Sequence, residues 1–203
     1  MKKIFLAIGN MILAGVSISL GAYIYLKVGG IIGAIMFSIG LISVIHFRFG
    51  LYTGWVKNFK HWDDFFILLI ILLLNIVGCL LMSLAISDQQ IIQQCNDIVS
   101  NRTNMGFWRS IFNGAGCGFI ITLSVMCKNR IALLIGIPAF ILAGFTHSIA
   151  DAFYYCVGHS SINGAAMLSY LYWRHCIQSW KYGKMMLGPS VAYVVGGPSF
   201  SPN

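Results

Sequence analysis

The chain contains no glutamate. Its acidic residues are five aspartates, and four of them, Asp63, Asp64, Asp88 and Asp97, stand in polar breaks. Asp151 is left as the one carboxylate inside an apolar run, so carboxylate chemistry has few candidates. Charge of either sign is scarce. Only 9% of the 203 residues are charged, 58% are hydrophobic, and mean hydropathy is +0.82. That balance excludes an ordinary soluble domain and indicates a polytopic membrane protein. No two of the six cysteines are in Cys-x-x-Cys spacing, and most lie in apolar runs, where they act as small hydrophobes. The pattern argues against a disulfide scaffold and against a zinc site, and no cofactor is implied. No nucleic-acid-binding motif occurs, and the basic residues are scattered between apolar runs, so a nucleic-acid partner is not expected. The net charge of +8 suits contact with anionic lipid of a bilayer and attracts anionic solutes.

What the chain does have is a series of apolar runs. They cover residues 4–26, 31–50, 65–86, 107–127 and 131–155. A helix of about 20 residues, rising 1.5 Å per residue, crosses a hydrocarbon layer of about 30 Å. A sixth run, 189–200, is too short for a full span and reads as an incomplete sixth helix. The basic start at Lys2 and Lys3 imitates a secretory signal. The apolar run behind it continues to Leu26, too long for a signal core, so it reads as a retained first helix. Residues 88–105 are polar and read as an exposed loop with room for a short helix. Between 159 and 188, Tyr170, Tyr172, Trp173 and Trp180 alternate with Arg174 and Lys181, an interfacial pattern. The whole chain, 1–203, is expected to form a single all-α, multi-pass transmembrane domain.

Two of the runs are interrupted by polar groups. The second carries His46, Arg48 and Gly50 towards its end with Thr53 just beyond it, and the fifth carries Thr146, His147, Ser148 and Asp151. An Asp at membrane depth costs about 2.5–3.5 kcal/mol on insertion scales, so such groups face a bundle interior or a wet cavity and mark functional sites. Helices one to three and four to six form two triplets whose middle members are broken. Paired broken helices in corresponding halves point to a midplane site of an inverted-repeat channel or transporter. Two other readings stand beside this one. His147 is a core histidine bonded to a carbonyl, or His147 and Asp151, four apart, serve a membrane enzyme. The enzyme reading lacks a third ligand and a nucleophile motif.

The fifth run also carries a resemblance. Gly144-Phe145-Thr146-His147-Ser148-Ile149-Ala150-Asp151 resembles the Gly-Phe-Glu-His-x-Val/Ile-Ala-Asn/Asp element of the formate/nitrite transporter family. Phe37-Ser38-Ile39-Gly40-Leu41 resembles the Phe-Ser-Leu-Gly-Leu of its second helix, and Leu51-Tyr52-Thr53-Gly54 its Leu-Phe-Thr-Gly break. Phe107, Arg109 and Val125 resemble its fourth helix. Phe140 lies seven before His147, as a pore-lining phenylalanine does in the family. Ala192-Tyr193-Val194-Val195-Gly196-Gly197 resembles its Gly-Asn-x-x-Gly-Gly. Thr146 stands where the family has glutamate, and Tyr193 where it has asparagine.

The resemblance implies an aquaporin-like bundle of six transmembrane helices in two inverted triplets, the second and fifth helices broken. It implies a homopentamer in a prokaryotic inner membrane, with one pore per subunit for small monovalent anions or their neutral acids, of the formate, nitrite and hydrosulfide type. Phe37, Leu41, Leu51 and Phe140 would form two apolar constrictions, with Thr53 and His147 between them and Tyr52, Thr146 and Tyr193 alongside. Arg102 stands at the place of a vestibule lysine and would gather anions at the mouth. Thr146, Tyr193 and the short last segment also admit a degenerate, non-conducting member.

Overall fold

A computed structural model describes residues 2–55, 62–127 and 130–158. The expected sixth segment 189–200, with Tyr193, and the interfacial stretch 159–188 lie outside the described residues. Eight helices and no strand occur among those described: α1 (Lys2–Val28), α2 (Gly30–Phe47), α3 (Tyr52–Trp55), α4 (Trp62–Ser83), α5 (Gln89–Thr103), α6 (Phe107–Met126), α7 (Arg130–Leu142) and α8 (Ser148–Gly158). Among the described residues, three helical spans, Lys3–Val28, Gly30–Phe47 and Asp64–Ser83, are long and apolar enough to cross a membrane.

Helix α1 is the hub, packed against α2, α4 and α8, while α2 and α6 both pack on α7. With lipid on the outside there is little hydrophobic drive between helices, so contact depends on how closely the backbones approach. Small residues allow that approach. Ala14, Ile18 and Ala22 of α1 are fully buried. A methyl added to Gly15 would overlap the Asn75 carbonyl of α4, and one added to Gly78 would overlap the Ile12 carbonyl of α1. The opposite faces carry Ile31, Ile32, Phe66 and Ile70, all exposed, as expected for surfaces that meet lipid.

Both interrupted helices stop by the same local chemistry. At the end of α2, Arg48 takes the left-handed conformation (φ 55°, ψ 41°). Its N–H donates to the Ile45 carbonyl, and the Phe49 N–H donates to the Val44 carbonyl. At the end of α7, Gly144 is left-handed (φ 73°). Its N–H donates to the Ile141 carbonyl, and the Phe145 N–H to the Phe140 carbonyl. Each is a Schellman turn, which satisfies the last carbonyls of a helix and turns the chain sharply out of it. Glycine at 144 is the ordinary residue for this; arginine at 48 adopts the same conformation at a steric cost. The second helix therefore ends at Phe47, before the expected 50, and the fifth run is two helices with a break between Leu142 and Ser148.

One segment differs from its expected form. Residues 88–105 hold the 15-residue helix α5, capped by Asp88, whose carboxylate accepts from the Gln90 N–H at 2.9 Å. Ile91, Cys95 and Val99, four apart, are buried, and this face packs on α8. The i, i+4, i+8 spacing was present in the sequence, but glutamines and asparagines around it lowered the average hydropathy. The Lys27 ammonium sits 2.5 Å from Asp88 and ties the end of α1 to the start of α5.

Candidate functional site

The break between α7 and α8 leads to the site. His147 is the last residue before α8, in the N-cap position, and is 5% exposed. Its Nδ1 accepts from the Ala150 N–H at 3.3 Å, as an N-cap side chain does. With Nδ1 accepting, the neutral ring carries its proton on Nε2, which is then the available donor. The ring lies 6.0 Å from that of Phe140, tilted by 30°. Phe140 in turn meets Phe37 edge-to-face at 6.1 Å. Phe37 and Phe140 come from α2 and α7, so the two helices that break meet through this aromatic pair just beyond the imidazole.

These three rings line a cavity of about 140 Å³, together with Tyr25, Arg102, Asp151 and Tyr154. The space suffices for a small solute with water. Its walls are mainly apolar, with few polar groups, which is the usual composition of a small-molecule site. Thr146 and Ser148 are buried beside His147, and their hydroxyls have no hydrogen-bond partner among the described residues.

Arg102 reaches this site from α5. Its guanidinium donates to the Gly144 carbonyl at 2.9 Å and to the Phe145 carbonyl at 3.3 Å. Its Nε stands 3.6 Å from Asp151 Oδ1, with side chains 15% and 3% exposed. Asp151 lies in the first turn of α8, where the helix dipole favours a carboxylate. Arg102 thus holds two carbonyls freed by the α7–α8 break and balances one buried charge. The expected vestibule cation is placed at the site, engaged with the break and with Asp151.

Of the other candidates, Leu41, Leu51 and Tyr52 are buried in the same core as Phe37 and Phe140, away from the cavity lining. Thr53, in α3, is exposed and is likewise not on that lining. Tyr193 lies outside the described residues. Tyr25 and Tyr154 were not among the expected site residues. Nothing in the local pattern distinguishes them from other interfacial tyrosines; helix crossing alone brings them to the cavity. No group of three or more His, Cys, Asp or Glu able to hold a metal occurs among the described residues. His147 and Asp151 flank the start of α8, and Asp151 faces Arg102.

The model of the formate/nitrite transporter family matches residues 2–182. A solved structure described as an FNT family ion channel is similar over 95% of this chain and 91% of its own, at 20% identity and a TM-score of 0.79. A pentameric formate channel with formate bound is similar over 96% of this chain and 91% of its own, at 16% identity and a TM-score of 0.66. No curated protein matches the chain. The two structural likenesses carry the all-α membrane fold, and the family model, which spans most of the chain, carries the lineage. This chain is an integral membrane protein of the formate/nitrite transporter family, a transporter and not an enzyme.

Proposed function

We propose that the chain, 1–203, is one channel domain that passes small monovalent anions of the formate type, or their neutral acids, across a prokaryotic inner membrane, with nitrite and hydrosulfide as further substrates of the same charge and size class. The observation that carries the reading is His147: an Nε2–H donor fixed by a cap at a helix break, next to an apolar pair and lining a small cavity. A bare anion is costly between apolar rings. A donor fixed in advance and the positive end of α8 lower that cost. The alternative route is protonation to the neutral acid, because desolvation favours neutral forms.

Phe37, Leu41, Leu51 and Phe140 serve in this reading as the apolar constrictions, with His147 and Thr53 as polar groups on the path and Tyr52, Thr146 and Tyr193 beside it. The pentamer of the formate channel supports a homopentamer here, its outer surface in lipid. No nucleic acid takes part. The test is formate flux in liposomes that contain the purified protein. Flux above that of empty vesicles is expected; none would end the reading in favour of a non-conducting member.

Arg102 gives a second test. Arg102→Gln should cost about 3 kcal/mol of stability, because it leaves Asp151 unpaired in a buried setting. Flux per surviving molecule should fall by the same factor at low and high salt. A free charge gathering anions at an exposed mouth would behave differently, since salt screens it. A loss confined to low salt would therefore assign Arg102 to steering and not to the break.

A further inference from the structure

Between Phe47 and Tyr52 the backbone has left α2, and its polar groups need partners other than the helix. One side chain from another element supplies two contacts there and ties them by a third to α1. Asn75, on α4, is fully buried. Its Nδ2 donates to the Gly50 carbonyl at 2.9 Å and to the Met11 carbonyl of α1 at 2.7 Å. Its Oδ1 accepts from the Tyr52 N–H at 2.8 Å. A carboxamide offers two donors and an acceptor in one plane, and here both donors and the acceptor are used.

An intramembrane asparagine is commonly a bond between two helices. Two of these three bonds are of another kind. They go to Gly50 and Tyr52, the residues on either side of Leu51. The third anchors the same amide to the hub helix α1. The reach depends on the close crossing at Gly15 and Gly78, which lets α4 bring Asn75 against α1.

We propose that Asn75 is a positioning residue for transport: it fixes the backbone on both sides of Leu51 and so sets the width of the constriction that Leu51 forms. The transport half rests on the reading of Leu51 as a constriction given above. Asn75→Leu keeps similar bulk and removes all three bonds. Asn75→Asp keeps the acceptor for Tyr52 and removes both donors.

Two measurements on the purified, reconstituted full chain test it. The first is amide hydrogen exchange. In Asn75→Leu, exchange of a peptide covering 50–55 should quicken by about tenfold or more, the scale set by losing a buried bond. Exchange within α2 should not change, and Asn75→Asp should fall between that variant and the parent. The second is the ratio of acetate to formate flux per assembled molecule, which should rise in both variants as the constriction loosens. A role in general packing moves neither the ratio nor this one peptide selectively.

Unchanged exchange at 50–55 overturns the proposal. So does exchange that quickens equally through α1, α2 and α4, or failure of both variants to assemble, since Asn75 would then be a general folding residue. Faster local exchange with an unchanged flux ratio overturns the transport half. A parent chain that shows the local exchange pattern but moves no formate supports the clamp and overturns the transport reading alone.

Discussion

His147→Phe is expected to abolish formate flux per assembled molecule, while His147→Asn keeps part of it. The difference follows from two functions of one ring. Nδ1 of His147 caps α8 through the Ala150 N–H, and Nε2–H is left to meet the solute. Asparagine is itself a good N-cap. Its Oδ1 can accept from Ala150 while its amide nitrogen still donates. Phenylalanine does neither, and it adds an apolar ring beside Phe140, 6.0 Å from the present imidazole. Loss of the cap costs about 1 kcal/mol of stability. Loss of the donor in a dry site should reduce flux by about a hundredfold, the upper end for an unmade buried hydrogen bond. Flux and protein abundance should be measured together in liposomes for both variants. If His147 is a packing residue, abundance falls in both and each surviving molecule conducts normally. Normal flux per molecule in His147→Phe would remove the imidazole from the pore.

Gly78→Leu is expected to remove most of the assembled protein from the membrane. The position is buried where α1 and α4 cross, and even a methyl there meets the Ile12 carbonyl, the Val16 amide and the Gly15 α-carbon. These are backbone atoms, so no side-chain rotation relieves the overlap. Gly78→Ala should cost about 1–3 kcal/mol, the usual range for overpacking a close interface. The same separation would draw Asn75 from its 2.7 Å bond to Met11, so the break after α2 should loosen before the protein unfolds. Gly9 is the matched control, because nothing lies within 4 Å of a methyl added there. Gly9→Ala should be neutral or stabilising by up to about 1 kcal/mol, from helix propensity. Thermal unfolding and the fraction recovered as oligomer measure both. Equal stability of Gly78→Ala and the parent would show that α1 and α4 do not approach as described.

The amino-acid sequence by itself determined the class of this protein. Long apolar runs, with almost no charge in them, have no stable place except a bilayer, and there the backbone must be helical. It also marked the fifth-run break, because Gly144 and the polar group from Thr146 to Asp151 interrupt an apolar run within a few residues. Order and spacing of Phe37, Leu51 and His147 carried the family. These signals are local, or depend on position along the chain alone.

The tertiary structure decided what those residues touch. Nothing in the sequence around Arg48 announces a left-handed turn, since arginine has no preference for it; the turn follows from how the next residues are held. Arg102 meets carbonyls 42 and 43 residues away, and Asn75 joins Met11 to Gly50. Residues 88–105 read as an exposed loop with room for a short helix; the length of α5 and its buried face came from α8, which gave Ile91, Cys95 and Val99 a surface to bury. Hydropathy measures whether a segment leaves water. Which polar groups then meet is set by helix crossings, and those depend on pairs such as Gly15 and Gly78 that lie 63 positions apart in the chain.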